Sequence, residues 1–275
     1  MHLNDHKSNI SQSLDIDMLY AINCDVAKFY SNYLMGKDGK IALDYLMKRG
    51  LNMEIIGNFK LGFAPNQQDA LLKYLEAKGY DVNEMEEAGI IRKRSDGRCH
   101  DVFRNRLIFP ISNIYNNIIG FGGRILPSEK TDLPIYINAA NTNILKKREN
   151  LFGLNLAQSH CHDNIILVEG YMDVICLHQF GFKNAVACFG VNFTDDQADI
   201  LSRVTKEVII CMDSDMFGQF FAKKIIEKLK NLNLDFKTIT LPDSIDPDTF
   251  IRKNGADRFR ALIENACGSH DNSIS

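Results

Sequence analysis

From residue 164 onward the chain alternates short apolar runs with helical patterns, and this alternation narrows the possible folds more than any other feature. The run NIILV (164–168) leads into a helical pattern over 170–180. A strand over 184–189, a helix over 194–203, a strand over 207–212, a helix over 217–231 and a strand over 234–240 follow, and a last helical stretch covers 246–266. Strands this short, almost wholly apolar and separated by helices, predict a parallel sheet buried on both faces with right-handed crossovers.

Before residue 160 the pattern differs. Residues 17–35 and 39–49 carry apolar positions at helical spacing, broken by Gly36 and Gly50. NMEIIGNFKLGFAP predicts a short helix and a turn, and NQQDALLKYLEAKGY an amphipathic helix stopped by Gly79. In RNRLIFPISNIYNNIIGFGGRIL two β-rich runs flank Asn116-Asn117, which predicts a hairpin. The expected fold class is therefore α+β followed by α/β. The expected divisions are a disordered or linking segment over 1–16, an α+β module over 17–160, an α/β module over 161–243, a helical end over 244–267 and a disordered tail over 268–275.

Bulk properties limit the function classes. No apolar run in the 275 residues approaches the length of a membrane span, and the polar, acidic start is not a secretory signal. Seven cysteines without a C-x-x-C pair argue against a zinc ribbon or a disulfide framework, so a reduced, cytoplasmic setting is expected. Net charge is −3, but residues 92–148 hold eleven Lys or Arg against four Asp or Glu, so this stretch is +7 and the rest −10. A basic segment joined to an acidic one suits a polyanion groove beside a cation site; a solvated basic face explains the charge equally well.

Three acidic groups fall just after expected strands: Glu169 after IILV, Asp213 and Asp215 in CMDSDMFG, and Asp246 and Asp248 in DSIDPDTF. Each has a structural reading, since Asp before a helix is a common N-cap and Asp-Pro a common helix start. Ligands in open α/β sheets nevertheless collect beyond the carboxyl ends of the strands. Carboxylates sharing one rim repel unless a cation neutralises them, and oxygen-only ligands favour Mg²⁺ or Mn²⁺ over zinc. Such ions commonly serve displacement at phosphorus. Gly170 would let a substrate backbone come close to Glu169. The residues thus point to a Mg²⁺-dependent phosphoryl-transfer site.

Glu169-Gly170-Tyr171-Met172-Asp173, Asp213-x-Asp215 and Asp246-Pro247-Asp248-Thr249 resemble the TOPRIM domain of bacterial replicative primases of the DnaG type. RNRLIFPI, IIGFGGRIL, YINAANTNILKKRENLFGL and ALDYLMKRGLNMEIIGNFKLGFAP resemble the module that precedes TOPRIM there, so the likeness runs from about residue 20 to 266. It makes 17–160 the N-terminal module of a primase core and 161–243 its TOPRIM domain. It implies synthesis of short RNA primers on a single-stranded DNA template from ribonucleoside triphosphates, with release of pyrophosphate. Glu169, Asp213 and Asp215 would be catalytic; with Asp246 and Asp248 they would hold two or more Mg²⁺ or Mn²⁺ ions. Arg104, Arg106, Arg124, Asn138, Lys146 and Lys147 would face nucleic acid or nucleotide. Strand-edge solvation for Arg104 and Arg106, and an exposed helix start for Lys146-Lys147-Arg148, are the structural alternatives.

The chain departs from the family pattern in places. Ser214 and Phe217 stand where Gly and Ala are usual, and a bulky Phe217 is expected to be able to reshape the metal loop; Phe189-Gly190-Val191 replaces a Leu-Gly-Thr turn. The zinc module and helicase-binding domain of full-length relatives fall outside the sequence, so a replicative helicase or a separate zinc module is an expected partner. No zinc is expected here, because His160, Cys161 and His162 lack further ligands at zinc spacing. Gly-Phe-Gly-Gly lacks the Lys-Ser/Thr of a P-loop. Two other functions stay open: a TOPRIM nuclease using the same acids, and a non-catalytic single-stranded DNA or helicase-associated module.

Overall fold

A computed structural model describes residues 3–127, 132–190, 193–242 and 245–268, with the side chains of 3–15 and of residue 267 outside that description. The chain divides into two compact units, one formed by 1–49, 56–113 and 117–146, the other by 50–55, 114–116 and 147–275. The division falls at Lys146/Lys147 rather than near residue 160. The stretch from 147 to 160 belongs to the second unit because Leu151, Leu154 and Ala157 pack into the core of its sheet.

In the first unit, helix α1 (Leu3–Met35) is followed by α2 (Lys40–Lys48), α3 (Met53–Asn58, across the division), strand β1 (Gly62–Ala64), α4 (Ala70–Ala77) and α5 (Val82–Glu87). Strands β2 (Ile91–Lys93), β3 (Cys99–Asp101), β4 (Arg106–Ser112), β5 (Ile118–Ile125) and β6 (Tyr136–Asn138) complete it. The segment expected to be loose over 1–16 is helical from Leu3, because nothing between there and Met35 is Gly or Pro and an established helix extends at little cost. Leu19, Ile22, Val26, Tyr30 and Leu34 recur every three or four residues and are all buried, which sets the face α1 presents to the sheet. That sheet has the order β1-β4-β5-β6 with antiparallel pairing throughout. The β4–β5 hairpin turns as expected. Asn116 takes φ +64°, and the Asn113 and Asn117 backbones pair across the turn. A Cβ on Gly62 would come within 2.5 Å of the Tyr30 side chain, so glycine permits the close approach of α1 to β1.

One acid of this unit is structural. Asp101 is 2% exposed and accepts from the backbone N–H groups of Leu71 (2.9 Å) and Leu72 (3.0 Å), capping α4 from 30 residues away. Burial pushes its carboxyl up to about 6, against the pull of those two N–H groups. The unfolded chain releases this proton near the ordinary 3.8, so the native state holds it more tightly between these values. The contribution of Asp101 to stability is therefore full below about pH 4 and lost as pH rises through about 6. A carbon-detected NMR titration should place its midpoint near 6; a midpoint near the ordinary value would refute this account.

The second unit contains α6 (Leu154–Ala157), β7 (Asn164–Val168), α7 (Tyr171–Gln179), β8 (Ala185–Ala187), α8 (Asp195–Val204) and β9 (Glu207–Ile210). It continues with α9 (Met216–Asn231), β10 (Asp235–Thr238), α10 (Pro247–Glu264) and β11 (Cys267–Gly268). The sheet order is β11-β10-β9-β7-β8; β7, β8, β9 and β10 are parallel and β11 is antiparallel. The alternation is as expected, with two adjustments. Residues 267 and 268, at the expected tail, add an edge strand. Helix α10 is interrupted at Gly255, whose φ of +81° glycine adopts without strain. The expected boundary at 243/244 lies outside the described residues. The edge of β8 is closed by Phe152, which exchanges two backbone hydrogen bonds with Ala187. Ile165, Leu167, Val186, Val208, Ile210 and Phe236 fill the sheet interior against Leu201, Ile225 and Leu229. Among the described residues no helix is long and apolar enough to cross a membrane.

Candidate active site

Strands β7, β9 and β10 are neighbours and run the same way, so their carboxyl ends share one rim. Glu169 follows β7, Asp213 and Asp215 follow β9, and Asp246 stands between β10 and α10. The Asp213 backbone N–H donates to Glu169 Oε1 at 3.0 Å and ties the first two strand ends together. Burial raises the Glu169 carboxyl above its usual range; the Asp213 N–H opposes this and the Asp215 charge adds to it. Burial pushes Asp213 up to about 6, with Glu169, Asp246 and Asp215 acting in the same direction. Oδ1 of Asp213 is buried without a hydrogen-bond partner.

Glycine shapes the rim. A Cβ on Gly218 would lie 2.1 Å from the Asp213 carbonyl oxygen and 2.8 Å from Glu169 Oε1, so any larger residue would push into the acids. This half-buried set of oxygens, with one orphaned atom and mutual repulsion, fits a hard divalent cation. Among the described residues no three Asp, Glu, His or Cys side chains form a ready-made cage. The rim is open, and Mg²⁺ typically completes such a shell with water and substrate phosphates.

The expected acids divide by role. Asp215 caps α9 through the Gly218 N–H (2.8 Å), and Asp246 caps α10 through the Thr249 N–H (2.6 Å). The capping reading is thus correct for both, and it fixes each carboxylate at the rim. Asp248 is 1% exposed and both its oxygens accept from Arg252, at 2.8 and 3.2 Å, an ion pair within α10. The sequence reading missed Asp173. It is buried on α7, its Oδ2 accepts from the Gly170 N–H (3.0 Å) and its Oδ1 from the Asp248 N–H (3.1 Å). Burial pushes its carboxyl far above the usual range, with Asp246 and Asp213 adding to the shift. Its place inside EGYMD was the available signal.

The departures resolve locally. Ser214 Oγ donates to the Leu241 carbonyl at 2.8 Å, so serine anchors the loop. Phe217 is 78% exposed. Gly190 has φ +92°, and Val191 lies outside the described residues.

The basic candidates also divide. Arg104 is exposed and lines a cavity of about 440 Å³ with Asn66, Leu133 and Ile137. Arg106 lines the same cavity but is 4% exposed, and its guanidinium donates to the carbonyls of Pro134 (2.9 Å), Ile135 (3.0 Å) and Gly123 (3.4 Å). Arg124 is half-buried, its guanidinium 5.7 Å from the Tyr45 ring and 5.2 Å from that of Tyr136. Asn138 and Lys147 are half-buried and Lys146 is exposed. Cys161 is buried, its thiol directed at the carbonyls of Gln158 and Val204, while His160 and His162 are exposed.

A parallel sheet with acids at adjacent strand ends places the second unit in the Toprim-like class, and residues 166–251 match that family's model. Residues 29–158 match the N-terminal domain of the DNA primase catalytic core. The chain belongs to the DnaG-type DNA primases, as a catalytic core with its Toprim domain. It is 40% identical over 260 residues to the DNA primase of Clostridium acetobutylicum, covering 94% of this chain and 43% of that protein. Against the DNA primase of Rickettsia felis it is 40% identical over 227 residues, covering 81% and 38%. Among solved structures it resembles a DnaG primase catalytic domain bound to single-stranded DNA, with a TM-score of 0.85, 36% identity and coverage of 92% and 83%. It also resembles a DNA primase domain from Pseudomonas aeruginosa, with a TM-score of 0.83, 38% identity and coverage of 90% and 78%. The chain spans about two fifths of the length of the curated relatives it matches.

Proposed function

We propose that this chain synthesises short RNA primers on single-stranded DNA by divalent-metal-dependent nucleotidyl transfer, in the cytoplasm, as a replication enzyme. The observation that carries the reading is the rim where Glu169 Oε1 meets the Asp213 N–H and Asp213 Oδ1 has no partner, in a chain whose two halves match the two parts of a primase core. Glu169 and Asp213 would hold Mg²⁺ or Mn²⁺, with Asp215 and Asp246 beside them. When bound, the ions supply charge stabilisation for the phosphorus being attacked. Burial raises both carboxyls, and an ion held between them would favour their charged forms. Asp173 is a positioning residue: it holds the Gly170 backbone behind Glu169 and the first turn of α10 behind Asp246. Gly218 lets the start of α9 pack directly against the Asp213 backbone and the Glu169 carboxylate.

Template binding falls to Arg104, Arg124, Asn138, Lys146 and Lys147, through phosphate contacts that carry little sequence information. Arg106 and Arg104 separate structure from binding. Arg106→Ala should destabilise the first unit by roughly 3 kcal/mol, because the buried guanidinium ties the Gly123, Pro134 and Ile135 carbonyls together and its removal leaves a gap in the core. Arg104→Ala should leave the urea midpoint unchanged and lower the salt slope of single-strand binding by about 0.7. The reverse pattern would refute both roles. A replicative helicase and a separate zinc module remain proposed partners. The decisive experiment is incorporation of labelled ribonucleotides on single-stranded DNA with Mg²⁺ or Mn²⁺. Short RNA is expected; loss of DNA instead would mean a nuclease, and binding without either product a non-catalytic module.

A further inference from the structure

Helix α9 presents large apolar side chains to solvent in its first turns. Met216 is 82% exposed, Phe217 78% and Phe220 59%, while Gly218, Phe221, Ile225 and Leu229 of the same helix are buried. Two rings on a solvent face sit poorly with a soluble surface unless something covers them. The helix carries on outward with Lys223 and Lys224, both exposed, and Lys224 Nζ lies 4.5 Å from the Phe220 ring centroid. Glu227 is the acid on this stripe, and the first turn of α9 contains none. The rings also belong to the rim: Asp215 caps the helix through Gly218, which abuts Glu169.

We propose that Phe217 and Phe220 are a stacking platform for bases of single-stranded nucleic acid engaged at the acid rim, with Lys223 and Lys224 meeting its phosphates. The inference rests on the nucleotidyl-transfer reading above for its ligand class. Aromatic faces stack any base, and neighbouring lysines supply the complementary charge that an apolar protein partner would not require. The bulk at Phe217, a departure from the family pattern, thereby gains a role outside the loop.

The test is equilibrium binding of a fluorescent oligothymidylate to the full chain, beside an abasic strand of equal length. Phe217→Ala and Phe220→Ala should each weaken binding of the base-bearing strand by about 5- to 150-fold, since stacking on one aromatic ring contributes that much. They should leave abasic binding and the salt slope unchanged. Lys223→Gln with Lys224→Gln should lower the salt slope for both strands by about 1.4. Both rings are exposed, so their removal leaves the fold intact, which melting verifies. Unchanged affinity in the ring variants overturns the proposal. So does a ring variant that alters self-association by sedimentation while binding stays the same, because the patch then covers a second protein. Failure of the wild-type chain to make primers, with ring-dependent binding retained, would remove the catalytic reading and leave the platform standing.

Discussion

Glu169→Gln should lose primer synthesis by about 10²–10³-fold or more, the range seen when one group that stabilises transition-state charge is removed. Its melting temperature should stay at or above that of the wild type. The amide oxygen still accepts from the Asp213 N–H, and a charge that burial and Asp215 disfavour is gone. The same loss should appear in metal response. Mn²⁺ at a hundredfold excess over its dissociation constant should stabilise the wild type by about 2.7 kcal/mol, and the variant by much less. Labelled RNA on a sequencing gel and thermal melts with and without Mn²⁺ check both halves. Near-wild-type synthesis, or a variant that melts early in metal-free buffer, would show that Glu169 serves the fold and not the reaction.

Asp173→Ala should behave in the opposite way, with a large loss of stability. Its carboxylate satisfies two backbone N–H groups from segments 78 positions apart, Gly170 and Asp248. A buried donor left unpaired costs about 1–3 kcal/mol, so the alanine variant should lose about 2–6 kcal/mol in urea unfolding. Asp173→Asn keeps one acceptor and sets its amide against the other N–H, and should lose about half as much. Synthesis at temperatures where Asp173→Asn stays folded should fall chiefly in kcat, because Glu169 and Asp246 sit on the segments it holds, while the affinity for template, borne elsewhere, should be kept. If Asp173→Ala unfolds at the wild-type urea concentration, the bridge is not a stabilising element.

What was legible in the sequence is the part governed by local pattern. Apolar runs such as Ile165–Val168 bounded by acids and glycine mark buried parallel strands, because a strand covered on both faces cannot alternate. The acids at 169, 213, 215 and 246 were readable as rim residues, since parallel strands carry their loops to one side. Even the two caps were readable, because Asp before a helix satisfies free N–H groups within its own next turn. Segment lengths before residue 160 were less so. Helix α1 starts at Leu3 because helices propagate through polar sequence that shows no amphipathic signal.

Arg106 and Asp173 depended on partners that the sequence places far away. Arg106 reaches carbonyls 17 to 29 residues downstream, and Asp173 joins a residue 3 positions back to one 75 positions on. Asp248 shows that even a near partner can decide the matter, for Arg252 at i+4 becomes its ion pair only because packing buries the carboxylate. The sequence alone therefore determined the strands, the helices and which side of the sheet collects charge. Tertiary structure alone decided which charged groups face solvent and which serve the fold, since the energy of a buried charge is set by its neighbours in space and not by its neighbours in the chain.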